Sequence, residues 1–327
     1  MRIVSGMRPT GKLHLGHYLG VIKKWLELQA SNDSKSYFFV ADWHALSTTY
    51  EDKLNLKNLS IELVKDWLSC GIDPEKSVIF IQSHVKYHAE LYMLLNMITP
   101  LGWLERNPTY KEQIANLDGK DIHTAGFLTY PVLQAADVIL YDADFVPIGE
   151  DQRPHLEITR EVVRRFHHLY NSNIFKEPKE ILSPTSRLLG LDGRKMSKSY
   201  NNSIYLTESS DAIFKKIKTA ITDTQRVKKT DAGNPKVCLV NTYHEEFSTK
   251  ETIDYIQDGC INAKIGCMEC KKLCFESIDK FIAPIREKRA TIDDKIALEI
   301  ALDGSSKANE EAKIKMEYIN HTIFNIE

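Results

Sequence analysis

The chain has no apolar stretch near the roughly 18 uninterrupted residues that a membrane-spanning helix needs, and its start, Met1-Arg2-Ile3-Val4-Ser5-Gly6, has the pattern of a short strand instead of a secretory leader. Both absences predict a cytoplasmic protein. Cysteine is scarce, 6 in 327 residues, too few for a disulfide scaffold in a chain of this size. An excess of one charge is lacking too. Lys+Arg number 43 against 45 Asp+Glu, a formal net charge of -2 that excludes a globally basic nucleic-acid binder but leaves room for a local basic face. No internal repeat or low-complexity segment is visible. What remains, 43% hydrophobic and 27% charged residues, is the composition of a folded globular chain, and the length predicts about two domains.

Short apolar runs at Arg2 to Val4, Tyr37 to Val40 and Val78 to Ile81 are separated by helix-like stretches, which predicts a β-α-β-α-β unit with parallel strands. In the first helix Leu15, Leu19, Ile22 and Leu26 recur on one face, expected to lie against the sheet. The second runs from about residue 53 to Leu68 and stops at Gly71-Ile72-Asp73-Pro74. A mainly helical insertion over about 84–144 precedes a strand at Phe145 to Ile148 that resumes the sheet. After residue 199 the pattern becomes helical and lysine-rich. The expected organisation is therefore α/β: residues 1–199 as a parallel-sheet domain with a helical insertion, and 200–327 as an all-α domain. Ligands belong at the carboxyl ends of the strands.

Two segments carry phosphate chemistry. Arg8-Pro9-Thr10-Gly11-Lys12-Leu13-His14-Leu15-Gly16-His17 leaves the first strand and opens a helix, with His14 and His17 on one side of its first turn, where imidazoles can donate to phosphate oxygens. Alone, it is equally compatible with a glycine-containing loop bearing two solvated histidines. Lys195-Met196-Ser197-Lys198-Ser199 offers two ammonium groups three residues apart after the turn Leu191-Asp192-Gly193-Arg194, suited to a leaving pyrophosphate; alone it also reads as a solvated lysine loop.

Between them, Tyr130-Pro131-Val132-Leu133-Gln134-Ala135-Ala136-Asp137-Val138-Ile139-Leu140-Tyr141 reads as a helix with Pro131 in its first turn, and Tyr130, Gln134, Asp137 and Tyr141 form one polar stripe. That stripe is either a pocket wall or a satisfied internal network. The run Gly149-Glu150-Asp151-Gln152-Arg153-Pro154-His155 passes from a strand end into a helix, a place for a ribose or an amino-acid head group, or else an acidic helix cap.

In order and separation, the histidine and lysine segments resemble the two ATP-binding signatures of the class I aminoacyl-tRNA synthetases; the first departs from His-Ile-Gly-His only by Leu15, and the second matches without change. With Phe38-Phe39-Val40-Ala41-Asp42-Trp43-His44 and the pocket helix, the chain resembles the tryptophanyl branch over essentially its whole length. The resemblance implies a Rossmann-type nucleotide-binding domain and ATP-dependent activation of L-tryptophan with Mg2+ held mainly by the ATP phosphates. Transfer to tRNA(Trp) by a homodimer follows, with the insertion as the dimer interface and the C-terminal helices reading the anticodon; no DNA or membrane partner is implied.

By motif, Asp137 corresponds to the acceptor of the indole N–H, Tyr130 and Gln152 to contacts with tryptophan's amino and carboxyl groups, and Gln134 lines the same pocket. Arg8, Pro9, Thr10, Gly16, His17, Gly149, Glu150, Asp151, Leu188, Lys195, Met196, Ser197, Lys198 and Ser199 correspond to the ATP site, with His14, His17, Lys195 and Lys198 stabilising charge in the reaction. An ionised Asp137 accepts only, so phenylalanine, with no ring donor, would leave it unpaired. Sites built for a ring N–H or O–H discriminate by about 10^4 to 10^5, so no editing domain is required.

Cys238, Cys260, Cys267 and Cys270 form a C-x21-C-x6-C-x2-C array. Four thiolates so spaced suit an iron-sulfur cluster or zinc, or else remain reduced thiols. Some bacterial tryptophanyl enzymes resemble this array and carry a [4Fe-4S] cluster, with a first spacing one residue longer. Lys215, Lys216, Lys218, Lys228 and Lys229 are either phosphate contacts or a solvated face. The rival readings are a tyrosine-tRNA ligase, which calls for a different polar pair in the pocket helix, and a non-catalytic tRNA-binding or tryptophan-sensing paralogue, which predicts eroded phosphate loops.

Overall fold

The computed structural model describes residues 1–31, 33–52, 54–111, 123–182, 188–198 and 200–324. The chain forms two compact units, one from Met1–Gly11, Val21–Thr185 and Asp293–Glu327, the other from Lys12–Gly20 and Ser186–Ile292.

The first unit is built on five parallel strands, β1 (Arg2–Met7), β2 (Lys35–Val40), β3 (Ser77–Ile81), β4 (Phe145–Ile148) and β5 (Lys179–Leu182), in the order β3-β2-β1-β4-β5. Every residue of β2 from Ser36 to Val40 is buried, as expected of a strand covered on both faces. The chain runs outward from β1 to β3, then returns to the other side of β1 with β4. This reversal opens a crevice at the carboxyl ends. Helices of this unit include α1 (Lys23–Gln29), α2 (Asp42–Thr49), α3 (Leu56–Cys70), α4 (Tyr87–Ile98), α5 (Leu101–Glu105), α6 (Ala125–Ile139) and α7 (Arg153–Tyr170). The expected insertion is indeed helical in α4 to α6, and α3 ends where Gly71 adopts φ 106. The second unit carries α8 (Ser210–Thr219), α9 (Leu239–Phe247), α10 (Lys250–Ile261) and α11 (Cys267–Ala290).

The last helix, α12 (Asp294–Phe324), departs from the expected division at residue 200, because it packs on β3 in the first unit. Its inner stripe is mostly small: Ala297, Ala301, Gly304, Ser305, Ala308 and Ala312 are buried. A side chain at Gly304 would overlap the Ile79 carbonyl, so the helix backbone lies directly against the edge strand. Ser305 Oγ accepts from Ile81 N at 3.4 Å, and Glu311 accepts from Tyr37 and pairs with Arg2 and Lys35. An exposed strand edge would invite pairing with other chains; here it is covered.

Three further expectations are corrected. The first helix is interrupted: Leu15–His17 is a single α turn and Tyr18–Ile22 is π-helical, so the wider turn rotates the later face, and Trp25 and Leu28 are buried where Leu26 was expected. Pro131 is not in the first turn of its helix. Thr124 caps α6 by accepting from Phe127 N at 3.2 Å, which leaves Pro131 inside the helix without an N–H for the carbonyl four residues back. Strand β5 was not expected at all; at the sheet edge its end residues Lys179 and Leu182 are exposed and the two between them half-buried.

Candidate active site

Asp137 lies on α6 with 1% of its surface exposed. His44, from α2 just beyond β2, approaches its Oδ2 at 2.7 Å. Gln82, the first residue after β3, donates Nε2 to Oδ1 and Oδ2 at 2.8 and 3.0 Å, and His88 on α4 reaches Oδ1 at 2.6 Å. Burial alone would raise the pKa of this carboxyl; the hydrogen bonds from His44 and His88 outweigh burial and hold it below the ordinary value, so it is ionised at neutral pH. The other nitrogen of His88 meets the Tyr141 hydroxyl at 2.7 Å. Asp137 and Tyr141 are thus joined through a residue from another helix, and Tyr141 follows the end of α6. Sequence reasoning missed Gln82 and His88 altogether, and quoted His44 without a role.

A second polar chain lies at the end of β4. Tyr130 and His155 Nε2 are hydrogen-bonded at 2.5 Å, His155 Nδ1 meets Gln152 Oε1 at 2.9 Å, and Gln152 Nε2 donates to Asp151 Oδ2 at 2.9 Å. Gln152 occupies the N-cap position of α7 but caps no backbone N–H with its side chain, and Glu150 and Asp151 lie in the 3-10 turn that precedes it. His155 is fully buried, and burial pulls its pKa down to about 4 despite the opposing Asp151, leaving a neutral ring. A side chain at Gly149 would meet Asp151 Oδ1 at 2.7 Å and displace that carboxylate. Glu150 is exposed and pairs with Arg153, and Gln134 is half-buried on α6. Arg8 donates to Thr48 at 2.7 Å, Pro9 is buried, and Thr10 precedes Gly11, whose φ of 112 suits only glycine.

The second unit holds the histidine turn, from Lys12 onward, and the lysine segment. Leu15 N donates to Ile204 O and Leu206 N to Leu13 O, each at 3.0 Å, pinning the histidine turn. His17 N donates to His14 Nδ1 at 3.3 Å and His14 N to His17 Nδ1 at 3.2 Å, with the rings stacked at 3.7 Å. Because each Nδ1 accepts from a backbone N–H, each neutral ring carries its proton on Nε2 and presents a donor there. Burial, with Lys198 adding to it, lowers the pKa of His14 to about 4; burial, His14 and Lys198 lower that of His17 to about 3. Gly16 leaves room for the His14 ring and Met196, whose sulfur would lie 3.4 Å from any added Cβ, so the two segments meet.

Lys195 is exposed, Ser197 and Lys198 are half-buried, and Leu188 and Met196 are buried; Ser199 lies outside the described residues. The loop is shaped by a residue the sequence did not flag. Asn202, 3% exposed, accepts from Ser197 N at 2.8 Å and donates to Lys195 O at 3.1 Å and Asp192 Oδ1 at 2.7 Å.

Around the cysteine array, Arg226 points its Nη1 at Cys260 Sγ (3.6 Å) and Cys267 Sγ (4.0 Å), and Cys270 Sγ lies 3.6 Å from His244 Nε2. Burial, reinforced by Cys238, Cys260 and Cys267, pushes the Cys270 thiol up to about 12. Among the described residues no group of three or more His, Cys, Asp or Glu side chains is arranged to hold a metal ion. Lys216 is engaged within the unit, donating to Ser203 O at 2.7 Å and pairing with Glu208. No helix among the described residues is long and apolar enough to cross a membrane.

A parallel sheet with a buried carboxylate at its carboxyl edge, together with a histidine turn and a lysine loop, defines an α/β protein of the class I synthetase type. The model of the class I tRNA synthetases of the tryptophan and tyrosine branch matches residues 1–283. The chain is 48% identical to the tryptophan-tRNA ligase of Thermotoga maritima over 99% of both chains, and 40% identical to that of Aquifex aeolicus over 98% of both. The solved tryptophanyl-tRNA synthetase of Campylobacter jejuni, complexed with ADP and tryptophan, is 33% identical and superposes with a TM-score of 0.90 over 99% of both chains. The tyrosyl enzyme of Archaeoglobus fulgidus, 18% identical at a TM-score of 0.67, shares the fold. The chain belongs to the class I tRNA synthetases of the tryptophan and tyrosine branch.

Proposed function

We propose that the chain activates L-tryptophan with ATP, forming tryptophanyl-adenylate and pyrophosphate, and transfers the amino acid to tRNA(Trp) with release of AMP. The observation that carries the reading is Asp137, a buried carboxylate held ionised by His44, Gln82 and His88. Such a group accepts and cannot donate, which matches the indole N–H as a ligand donor.

Tryptophan's carboxylate attacks the α-phosphorus and pyrophosphate leaves; no protein nucleophile takes part. Tyr130 and Gln152 hold the amino and carboxyl groups, Gln134 lines the pocket, and Gly149, Glu150 and Asp151 border the ribose. Leu188 meets the adenine through its backbone, and Arg8, Pro9, Thr10, Gly16, Met196 and Ser197, with Ser199, border the nucleotide. His14 and His17 donate from Nε2 to phosphate oxygens, and Lys195 and Lys198 offset the charge that builds on the leaving group. Mg2+ neutralises the phosphates when bound with ATP.

The insertion helices present Met93, Met97 and Leu101 as exposed apolar side chains, which supports a homodimer interface. The helices of 200–292 supply the anticodon contacts. For the cysteine array, the sequence spacing alone puts an iron-sulfur cluster ahead of zinc, with a role in structure or tRNA recognition, although among the described residues no side chains are gathered to hold a metal; iron and acid-labile sulfide assays on anaerobically purified protein decide between a cluster and free thiols.

The test of the main reading is ATP–pyrophosphate exchange. Tryptophan alone should support exchange, tyrosine should not, and Asp137→Ala should reduce kcat/KM for tryptophan about tenfold to a hundredfold, the range for a lost bond to a charged acceptor. Exchange with tyrosine would place the chain in the sister specificity, and folded protein without exchange would favour a non-catalytic paralogue.

A further inference from the structure

His155 has no role in the reaction so far, yet it stands between two groups that do. Its ring is buried, and it joins Tyr130 on α6 to Gln152 at the start of α7. The direction of every proton in this chain follows from its end. Asp151 is a carboxylate, so the Gln152 atom facing it must be the Nε2 donor. Gln152 therefore turns its carbonyl Oε1 to His155, and His155 Nδ1 must carry the hydrogen that this carbonyl accepts. A neutral imidazole has one N–H, which leaves His155 Nε2 a bare acceptor. The Tyr130 hydroxyl must then donate to it, and the remaining lone pairs of the phenol oxygen are directed elsewhere.

We propose that His155 is a positioning residue for the ammonium-binding subsite: it commits the Tyr130 hydroxyl proton to itself, so that the phenol oxygen meets the substrate's α-ammonium as an acceptor. The proposal rests on the reading that Tyr130 contacts the amino group of tryptophan. The ring's lowered pKa, about 4, agrees with the neutral form that the geometry requires. With the order reversed, Tyr130 would aim its proton at a cation that has only donors. The chain thus fixes the preference for an amino acid over an indole acid without His155 touching the substrate.

The test separates ammonium binding from the rest of the pocket. Three ligands are compared in full-length protein: tryptophan, tryptamine (ammonium, no carboxylate) and indole-3-propionate (carboxylate, no ammonium), the latter two as inhibitors of exchange. His155→Phe removes both ring nitrogens, and KM for tryptophan and Ki for tryptamine should each rise about tenfold, the scale of one hydrogen bond to a charged group. Ki for indole-3-propionate, which senses His155 only through Gln152, should rise clearly less, by about threefold at most. His155→Gln offers one donor and one acceptor, as the neutral ring does, and should restore most of the loss. An equal rise for all three ligands would assign His155 a merely structural role, and no rise for any would remove it from the subsite; either overturns the proposal. Tyr130→Phe, run alongside, distinguishes the two levels of failure. If it too spares the difference between tryptamine and indole-3-propionate, the underlying assignment of Tyr130 is wrong; if it abolishes that difference and His155→Phe does not, only the ordering by His155 fails. Should His155→Phe not fold, His155→Leu and His155→Asn carry the same comparison.

Discussion

At the scale of single residues, three imidazoles, His155 in the first unit and His14 and His17 in the second, are held in their neutral form. Burial is the leading cause of the low pKa values of His14 and His155, about 4, and of His17, about 3. An unfolded histidine titrates near 6.5, so between that pH and the folded values the unfolded chain binds more protons. Stability from these groups is complete above pH 6.5 and is lost as pH falls toward about 4, each ring contributing on the order of 3 kcal/mol. Asp137 has its pKa depressed, so its contribution is present above the ordinary carboxylate range and is lost only as pH falls through and below it. Urea unfolding measured from pH 7.5 to 4 should show the midpoint falling mainly below pH 6.5, with a shallower fall in His155→Gln. A flat profile over that window would contradict the buried neutral state. The sequence displayed Asp137, His14, His17 and Lys198 because each sits in a contiguous motif. Gln82 and His88 were invisible for the opposite reason: they reach Asp137 across separations of 55 and 49 residues, and a lone Gln or His after a strand carries no local pattern. Asn202 escaped notice because an asparagine near a glycine-containing turn reads as loop chemistry.

At the scale of elements, periodicity identified four of the five strands and the helical insertion, and it failed where the physical rule was not one of periodicity. The π turn at Tyr18–Ile22 keeps an apolar composition while changing the angular step, so a count at 3.6 residues per turn assigns the wrong face. Strand β5 alternates too little and is too short to stand out. The destination of α12 is written in small residues, which conventional hydrophobic counting ignores, although they decide how closely two backbones approach. Gly304→Ala puts a methyl into the Ile79 carbonyl, and the helix must shift; the expected cost is about 1–3 kcal/mol, as for overpacking in a tight interior. Urea denaturation would read this as a lower midpoint at unchanged slope, whereas Gly126→Ala, at an open position on α6, should not destabilise. Equal effects at the two glycines would remove the argument for backbone contact along the edge of β3.

At the scale of the whole molecule, the chain distributes its chemistry unequally between the compact units. Asp137, with His44, Gln82 and His88, is satisfied entirely by residues of the first unit, as is the chain from Tyr130 to Asp151. The histidine turn, although it follows β1 in sequence, groups with the lysine loop in the second. A boundary placed by sequence order at residue 200 could not show this, since composition changes only once along the chain while the fold crosses between units repeatedly. The consequence is separability. On the proposed function, equilibrium binding of tryptophan in the absence of ATP would draw on the first unit's polar networks, while formation of the adenylate would also need charge offset by Lys195 and Lys198. Lys198→Ala should therefore bind tryptophan within about twofold of the parent by calorimetry while kcat for exchange falls by about two to three orders of magnitude, the scale for one preorganised charge-stabilising group. Asp137→Ala should show the reverse order of effects, with its loss already present in binding. If Lys198→Ala weakened tryptophan binding as much as exchange, the loop would be part of the amino-acid pocket, and its assignment to the phosphates would have to be abandoned.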